Sequence, residues 1–438
     1  MSPQTKRRSA PPLEYSLLLT ATLCLLAIGA VMVFSASSAA SLLSEGGGDG
    51  FYYLKRTLLF AGVGLLALRL ATVNGVRFAR ATTPVAVGVT IFLLFCVLIP
   101  GVGQTVNGSQ RWLGAGLLTF QPSELAKVAL ILYGAHLLAS EPKRIRSLSG
   151  LMPILVVAGL TLVLIGMQPD LGTAMTITFG LTCLLLASGV SPRTLAPIAA
   201  VAAVAVVALI ASNPYQQDRL TGFLNPGGDP GGAGYQSLQA EIAFGSGGVM
   251  GAGLGESVQK AFYLPESHTD MISAVYGEET GFAGVLVLVG LFGMFGYAGF
   301  RAAHKARDRY SKLLAAGLTS LILGQATINL FAVLGLAPLT GVPLPFVSYG
   351  GTSLVVTLTA AGLILNVARR PAAAASKPAR RTSAKRRSPA SGERLRALEG
   401  GGEKIRRRRA GSDTGRDSGR RYSGSRGARD RRRRRAAR

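Results

Sequence analysis

Residues Tyr263–Phe300 read YLPESHTDMISAVYGEETGFAGVLVLVGLFGMFGYAGF. Glu266, His268, Asp270, Glu278 and Glu279 stand at the mouth of a run that then continues without a charge. About 20 apolar residues cross a ~30 Å hydrocarbon layer, so this run reads as a membrane span and its charges lie at one edge of the bilayer. Nine further runs have the same character, near 14–36, 57–73, 82–100, 121–140, 150–167, 171–189, 194–211, 313–336 and 346–367. With 49% hydrophobic residues over 438 positions, the chain is built for lipid as its solvent. The first run ends in SASSAAS, which resembles a signal cleavage site, but it exceeds the ~7–15 residues of a signal core and is expected to stay.

Charge divides the chain again. From Arg369 onward there are 26 Lys/Arg and 6 Asp/Glu, so this segment carries +20 of the net +26. Rich in Arg, Ser, Gly and Ala, it cannot bury enough surface to offset chain entropy and is expected to be disordered. A polybasic segment directly after a span suits anionic lipid better than nucleic acid. With the N-terminus cytoplasmic, inside segments hold 14 of the remaining Lys/Arg and outside segments five, the asymmetry that sets orientation. Both termini are then cytoplasmic. The expected fold is an all-α polytopic membrane protein: ten transmembrane helices, a large extracytoplasmic loop between spans seven and eight (about 212–270), and the basic tail. The domain division is 1–370 for the membrane domain and 371–438 for the tail.

That long loop has a Gly/Pro-rich tip, a helix-like piece around 235–244 and apolar residues, and reads as ordered with a mobile tip. GAGLGE, 251–256, lacks the preceding strand of a dinucleotide fingerprint and reads as turns. Ser267, His268 and Asp270 are triad ingredients, but triads assemble from distant positions and no oxyanion hole is in sight. Cys24, Cys96 and Cys183 each fall in an apolar run, so neither a disulfide framework nor a zinc site is indicated.

The acids and cations have bland readings. Thr269 or Asp270 could cap the next helix. Lys127 in QPSELAK could simply pair with Glu124 at i, i+3, Asp170 in QPDLGT could be an N-cap, and Arg111 beside Trp112 suits headgroup depth. Yet Arg111, Lys127, Asp170, Lys260, Asp270 and Glu278 all fall at or near the outer face. On the helix after Asp270, Glu278 is expected to share its cavity and Glu279 to touch another helix. Cations beside an acid at headgroup depth suit a lipid-linked sugar pyrophosphate, with phosphates on the cations and the sugar at the carboxylate. Asp270 or Glu278 offers hard oxygen ligands for magnesium or manganese, and the sequence leaves a metal requirement open.

YLPESHTD, AVYGEETGF, QPSELAK, QPDLGT, GLGESVQKAFYLPE and PLPFVSYGGTS, in the right order and on the right spans across about 14–368, resemble the SEDS family (shape, elongation, division and sporulation), most closely its division (FtsW) branch. The resemblance implies a ten-span peptidoglycan glycosyltransferase that polymerises lipid II outside the cytoplasmic membrane, during septal synthesis for the division branch. It implies partnership with a class B penicillin-binding transpeptidase and divisome membrane proteins. It makes Asp270 the catalytic carboxylate and Lys127 and Asp170 functional; Arg111, Lys260, Glu278, Glu124 and His268 complete the candidate substrate-binding set. Asp270–Ala274 reads DMISA where DFIFA is usual in the family. Two other readings predict different charge placement. A lipid II flippase needs a polar path through the midplane, and a non-catalytic scaffold has no use for buried acids.

Overall fold

The structure is a computed structural model. It describes residues 11–369 except 44–48, 107–108, 115, 117–118, 144–146, 230, 233 and 262; the side chains of 39–43 and 106 are also outside the description, as is the expected tail, 371–438. Each of the ten apolar runs coincides with a long helix: α1 (Leu13–Leu43), α2 (Tyr52–Leu70), α3 (Val76–Val97), α4 (Pro122–Ser140), α5 (Leu148–Gly166), α6 (Leu171–Ser188), α7 (Pro192–Ser212), α10 (Ile272–His304), α11 (Arg309–Val333) and α12 (Gly351–Arg369). Two shorter helices, α8 (Pro214–Leu224) and α9 (Tyr235–Gly247), lie in the long connection. The helix-like piece expected near 235–244 is α9. α8 was not anticipated, although Asn213 accepting from the Tyr215 N–H and Pro214 at the first helical position form a regular helix start.

Among the described residues, eight stretches are long and apolar enough to cross a membrane. The difference from ten has two causes. α2 and α3 are joined by a π-turn, Ala71–Gly75, into one 46-residue stretch without the loop expected there, so Arg77 and Arg80 stand on helix. α4 carries Glu124 and Lys127 in its first turns and is not among the eight. The packing centre is α11 and α12, each 78% buried over its apolar window, whereas α7 is 6% buried and touches the rest mainly through α6 and α8.

The only strands among the described residues form an antiparallel hairpin, β1 (Gln104–Val106) with β2 (Ser109–Trp112), which holds Arg111. α10 is broken at Gly281, whose φ of 65° and ψ of −169° are open only to glycine. The segment 247–253 fills the break. Ala252 and Gly253 donate to the carbonyls of Glu278 and Glu279, and Phe282 and Ala283 donate to those of Gly248 and Val249. The glycine-rich stretch is therefore a backbone splice onto α10, in keeping with its reading as turns.

Candidate active site

Asp270 precedes α10 and is 7% exposed. It does not cap the helix: the N-cap is Met271, with no side-chain cap, and the Met271 N–H reaches the Glu266 carbonyl. The capping reading of Asp270 is thereby corrected, and its carboxylate is left for other work. Oδ1 lies 3.2 Å from the Thr269 hydroxyl, which also lies 2.8 Å from Glu266 Oε2. Burial pushes the carboxyl up to about 6, against the pull of the Arg219 guanidinium; nearby Glu266 pushes the same way as burial. Arg219, on α8, stacks over Tyr215 and donates to the Leu339 carbonyl at 3.0 Å. Both groups border Gly341, where φ is +68° and an added Cβ would lie 3.4 Å from Arg219 Nη1 and 3.8 Å from Asp270 Oδ2. Any side chain there would enter the space beside the acid.

Lys127 is buried on α4. Its ammonium stands 2.8 Å from the Glu124 carboxylate and 2.8 Å from Gln325 Oε1 on α11. The i, i+3 pair is real, and the third partner extends it: Gln325 Nε2 donates to the Pro343 carbonyl at 2.8 Å. One helical turn on, Asn329 donates to the Val342 carbonyl and the Asp270 carbonyl, and accepts from Ser273. Segment 339–343 thus runs between Arg219, Asn329 and Gln325, linking the surroundings of Asp270 to those of Lys127.

Asp170 caps α6, accepting from the Thr173 N–H at 3.2 Å, as expected. Its other oxygen receives Ser123 and Gln121 at 3.3 Å each, and Arg111 Nη1 is 3.9 Å from Oδ1. Arg111 also donates to the carbonyls of Gln168 and Pro169. Gly172 lets the same 340–342 segment approach α6, since a Cβ there would run into Thr340 O and the Val342 side chain.

Two expected members have their partners elsewhere. Glu278 accepts from the Ser257 hydroxyl and from the Val258 and Gln259 N–H groups, so its hydrogen bonds anchor the 257–259 turn and none reaches Asp270. Lys260 is paired at 2.9 Å with Glu279, which also receives Ser35 of α1 at 2.5 Å. Glu279 does contact another helix, as its position on α10 predicts. His268 packs its ring 4.5 Å from Tyr53 and 5.6 Å from Tyr349, and burial lowers its basicity. Among the described residues no three of His, Cys, Asp and Glu converge as a metal set. The expectation that Glu278 shares a cavity with Asp270 is corrected, because its carboxylate is engaged by the 257–259 turn.

Sequence reasoning passed over Arg219, Gln325, Asn329 and Gly341, and gave Glu266 no role beyond its place in the charged cluster. Gln325 and Asn329 had a signal: two amides four residues apart in an apolar run share a helix face. Arg219 had none, because its helix is polar and its partner is 51 residues away.

Residues 15–372 match the model of the FtsW/RodA/SpoVE family, described as "Cell cycle protein". The chain belongs to this family. Relatives include a probable peptidoglycan glycosyltransferase FtsW of Geobacter sulfurreducens, 39% identical over 81% of this chain and 94% of its own length. Stage V sporulation protein E of Bacillus subtilis is 40% identical over 83% and 99%. Among solved structures, a chain from a study of how a peptidoglycan synthase complex coordinates polymerisation and crosslinking aligns with a TM-score of 0.65 at 30% identity, over 80% of this chain and 96% of that one. Thermus thermophilus RodA aligns with a TM-score of 0.58 at 28% identity, over 80% and 95%. The SEDS membership that the motifs indicated is established, and the many-span α fold with it.

Proposed function

We propose that this FtsW-type peptidoglycan glycosyltransferase polymerises lipid II with Asp270 as general base. The chain is a glycosyltransferase of cell-wall synthesis. Asp270 takes the proton from the acceptor's GlcNAc 4-hydroxyl as that oxygen attacks C1 of the donor MurNAc. The C1–O bond to phosphate breaks, undecaprenyl pyrophosphate leaves from the opposite face, and a β-1,4 bond forms with inversion. The observation that carries this reading is a buried, uncapped carboxylate poised near neutrality beside a cation, as a base working near pH 7 requires.

Arg219, Lys127 and Arg111 are the cations assigned to the pyrophosphate. Their charge opposes that developing on the leaving phosphate. Lys127 is the most enclosed, and its Glu124 and Gln325 partners hold it in place. Asp170 positions Arg111 and the α6 terminus. Lys260 and Glu278 are assigned to holding the loop on α10.

The positive-inside asymmetry supports an orientation with this end of the bundle outside the cytoplasmic membrane and both termini cytoplasmic, and the ten long helices over the apolar runs support ten crossings. The division-type relatives support a septal location, and the synthase-complex relative supports pairing with a class B penicillin-binding transpeptidase. The chain divides functionally at about 370. Incubation of the purified protein with purified lipid II, with and without its transpeptidase, tests the activity. Polymer from wild type and none from Asp270→Asn supports the mechanism, while equal polymer from both overturns it.

A further inference from the structure

The end of the bundle opposite Asp270 carries a cleft that glycosyl transfer does not use. It lies where the first turn of α3, the turn into α11 and the last turn of α12 meet. Its volume is about 180 Å³, roughly six times the ~30 Å³ share of a water molecule. It is lined by two arginines, Arg77 and Arg307, by the neutral polar Ser311 and Asn366, and by Val76 and Val367.

The backbone has been shaped to make this meeting. The π-turn Ala71–Gly75 directly precedes Val76, and single π-turns inside helices recur at functional sites. Asn366 Nδ2 donates to the Thr72 carbonyl at 2.7 Å, pinning the end of α12 to the turn. Asp308, the acid on the wall, is committed to the α11 N-terminus, where its oxygens accept from the Ser311 N–H at 3.1 Å and the Ser311 hydroxyl at 2.7 Å. Arg77 is exposed and makes no hydrogen bond or ion pair with a described residue. Two planar cations against one committed acid leave the wall net positive, and guanidinium groups recognise phosphate through paired N–H donors. Leu70 and Phe78, 63% and 69% exposed on either side of the π-turn, place apolar surface beside the cleft.

We propose that this cleft binds the phosphate of an anionic phospholipid headgroup from the leaflet at that end, with acyl chains against the Leu70 and Phe78 surface. Inorganic phosphate shares the headgroup's charge but not its chains, so the lipid should hold where the free ion does not. The test is native mass spectrometry of the full-length protein in neutral detergent, titrated with phosphatidylglycerol, phosphatidylcholine or inorganic phosphate. Wild type should hold one phosphatidylglycerol more tightly than any phosphatidylcholine. Arg77→Ala with Arg307→Ala should weaken that site about tenfold or more, the scale of losing charge-assisted hydrogen bonds. Arg406→Ala with Arg408→Ala, in the basic C-terminal segment, should leave it unchanged. Arg77→Lys with Arg307→Lys keeps the charge and guards against misfolding; it should bind with intermediate affinity. The proposal is overturned if the alanine pair binds phosphatidylglycerol as wild type does, if the C-terminal pair abolishes the tight site, or if inorganic phosphate binds as tightly as the lipid.

Discussion

Lys127 and Lys260 are both buried and both held by a glutamate, at 2.8 and 2.9 Å, yet they serve different parts of the molecule. Lys127 shares its charge with Gln325, and through that amide with the segment that also meets Asn329 and Arg219 near Asp270. Lys260 shares its charge with Ser35 and the Gly255 carbonyl, which fixes the loop to α1 and to the broken helix α10. The pair chemistry is the same. What separates the two lysines is the third partner, so a buried ion pair announces its role only through the next contact.

The largest effect should come from Asp270, which the Lys127 network reaches through segment 339–343. Asp270→Asn keeps the size and removes the base, so polymerisation should fall by at least the 10²–10⁴-fold typical of general-base loss, measured on purified lipid II. Folded protein that still polymerises at the wild-type rate would detach Asp270 from the chemistry.

Next, the two lysines should separate. Lys127→Met should abolish most turnover, and adding Glu124→Gln to restore neutrality should not recover it. Lys260→Met leaves Glu279 buried and unpaired, a change that costs about 3–5 kcal/mol in stability. There, adding Glu279→Gln should recover much of the melting temperature and the activity. If the Lys127 double variant works and the Lys260 double variant does not, the roles assigned above are reversed.

A smaller effect concerns pH. A base pushed up to about 6 is protonated below that value, so kcat/KM should rise with pH through about 6 and level off above it. Arg219 lowers this value and Glu266 raises it. Arg219→Gln should therefore move the limb to higher pH and Glu266→Gln to lower pH, read from pH–rate profiles of each variant. Shifts in the opposite directions would mean that another group titrates.

The smallest effect is expected from the basic segment. Truncation after Arg370 should leave polymerisation in detergent within about twofold, because on the orientation proposed it faces the other side of the membrane. It should weaken vesicle binding at low salt, where each basic residue near an anionic leaflet contributes about 1 kcal/mol. Loss of polymerisation by well-folded truncated protein would join the two segments into one enzyme.

Sequence alone determined the helical membrane architecture, because lipid forces long apolar runs to satisfy their own backbone hydrogen bonds, and that requirement is visible in composition. It also marked Asp270, Lys127, Glu124, Asp170 and Arg111, since charges at the edge of such runs are costly and stand out. Only the tertiary structure decided what those charges touch. Asp270 could be a cap or a base until Met271 was found at the cap position, and Glu278 could be read beside Asp270 until its carboxylate was seen on the 257–259 turn. Arg219 and segment 339–343 approach Asp270 from 51 residues before it and from about 70 after it. The reason is physical. Helical periodicity says which face a residue occupies, whereas the partner across the contact is chosen by how separate helices pack, and no local pattern records that choice.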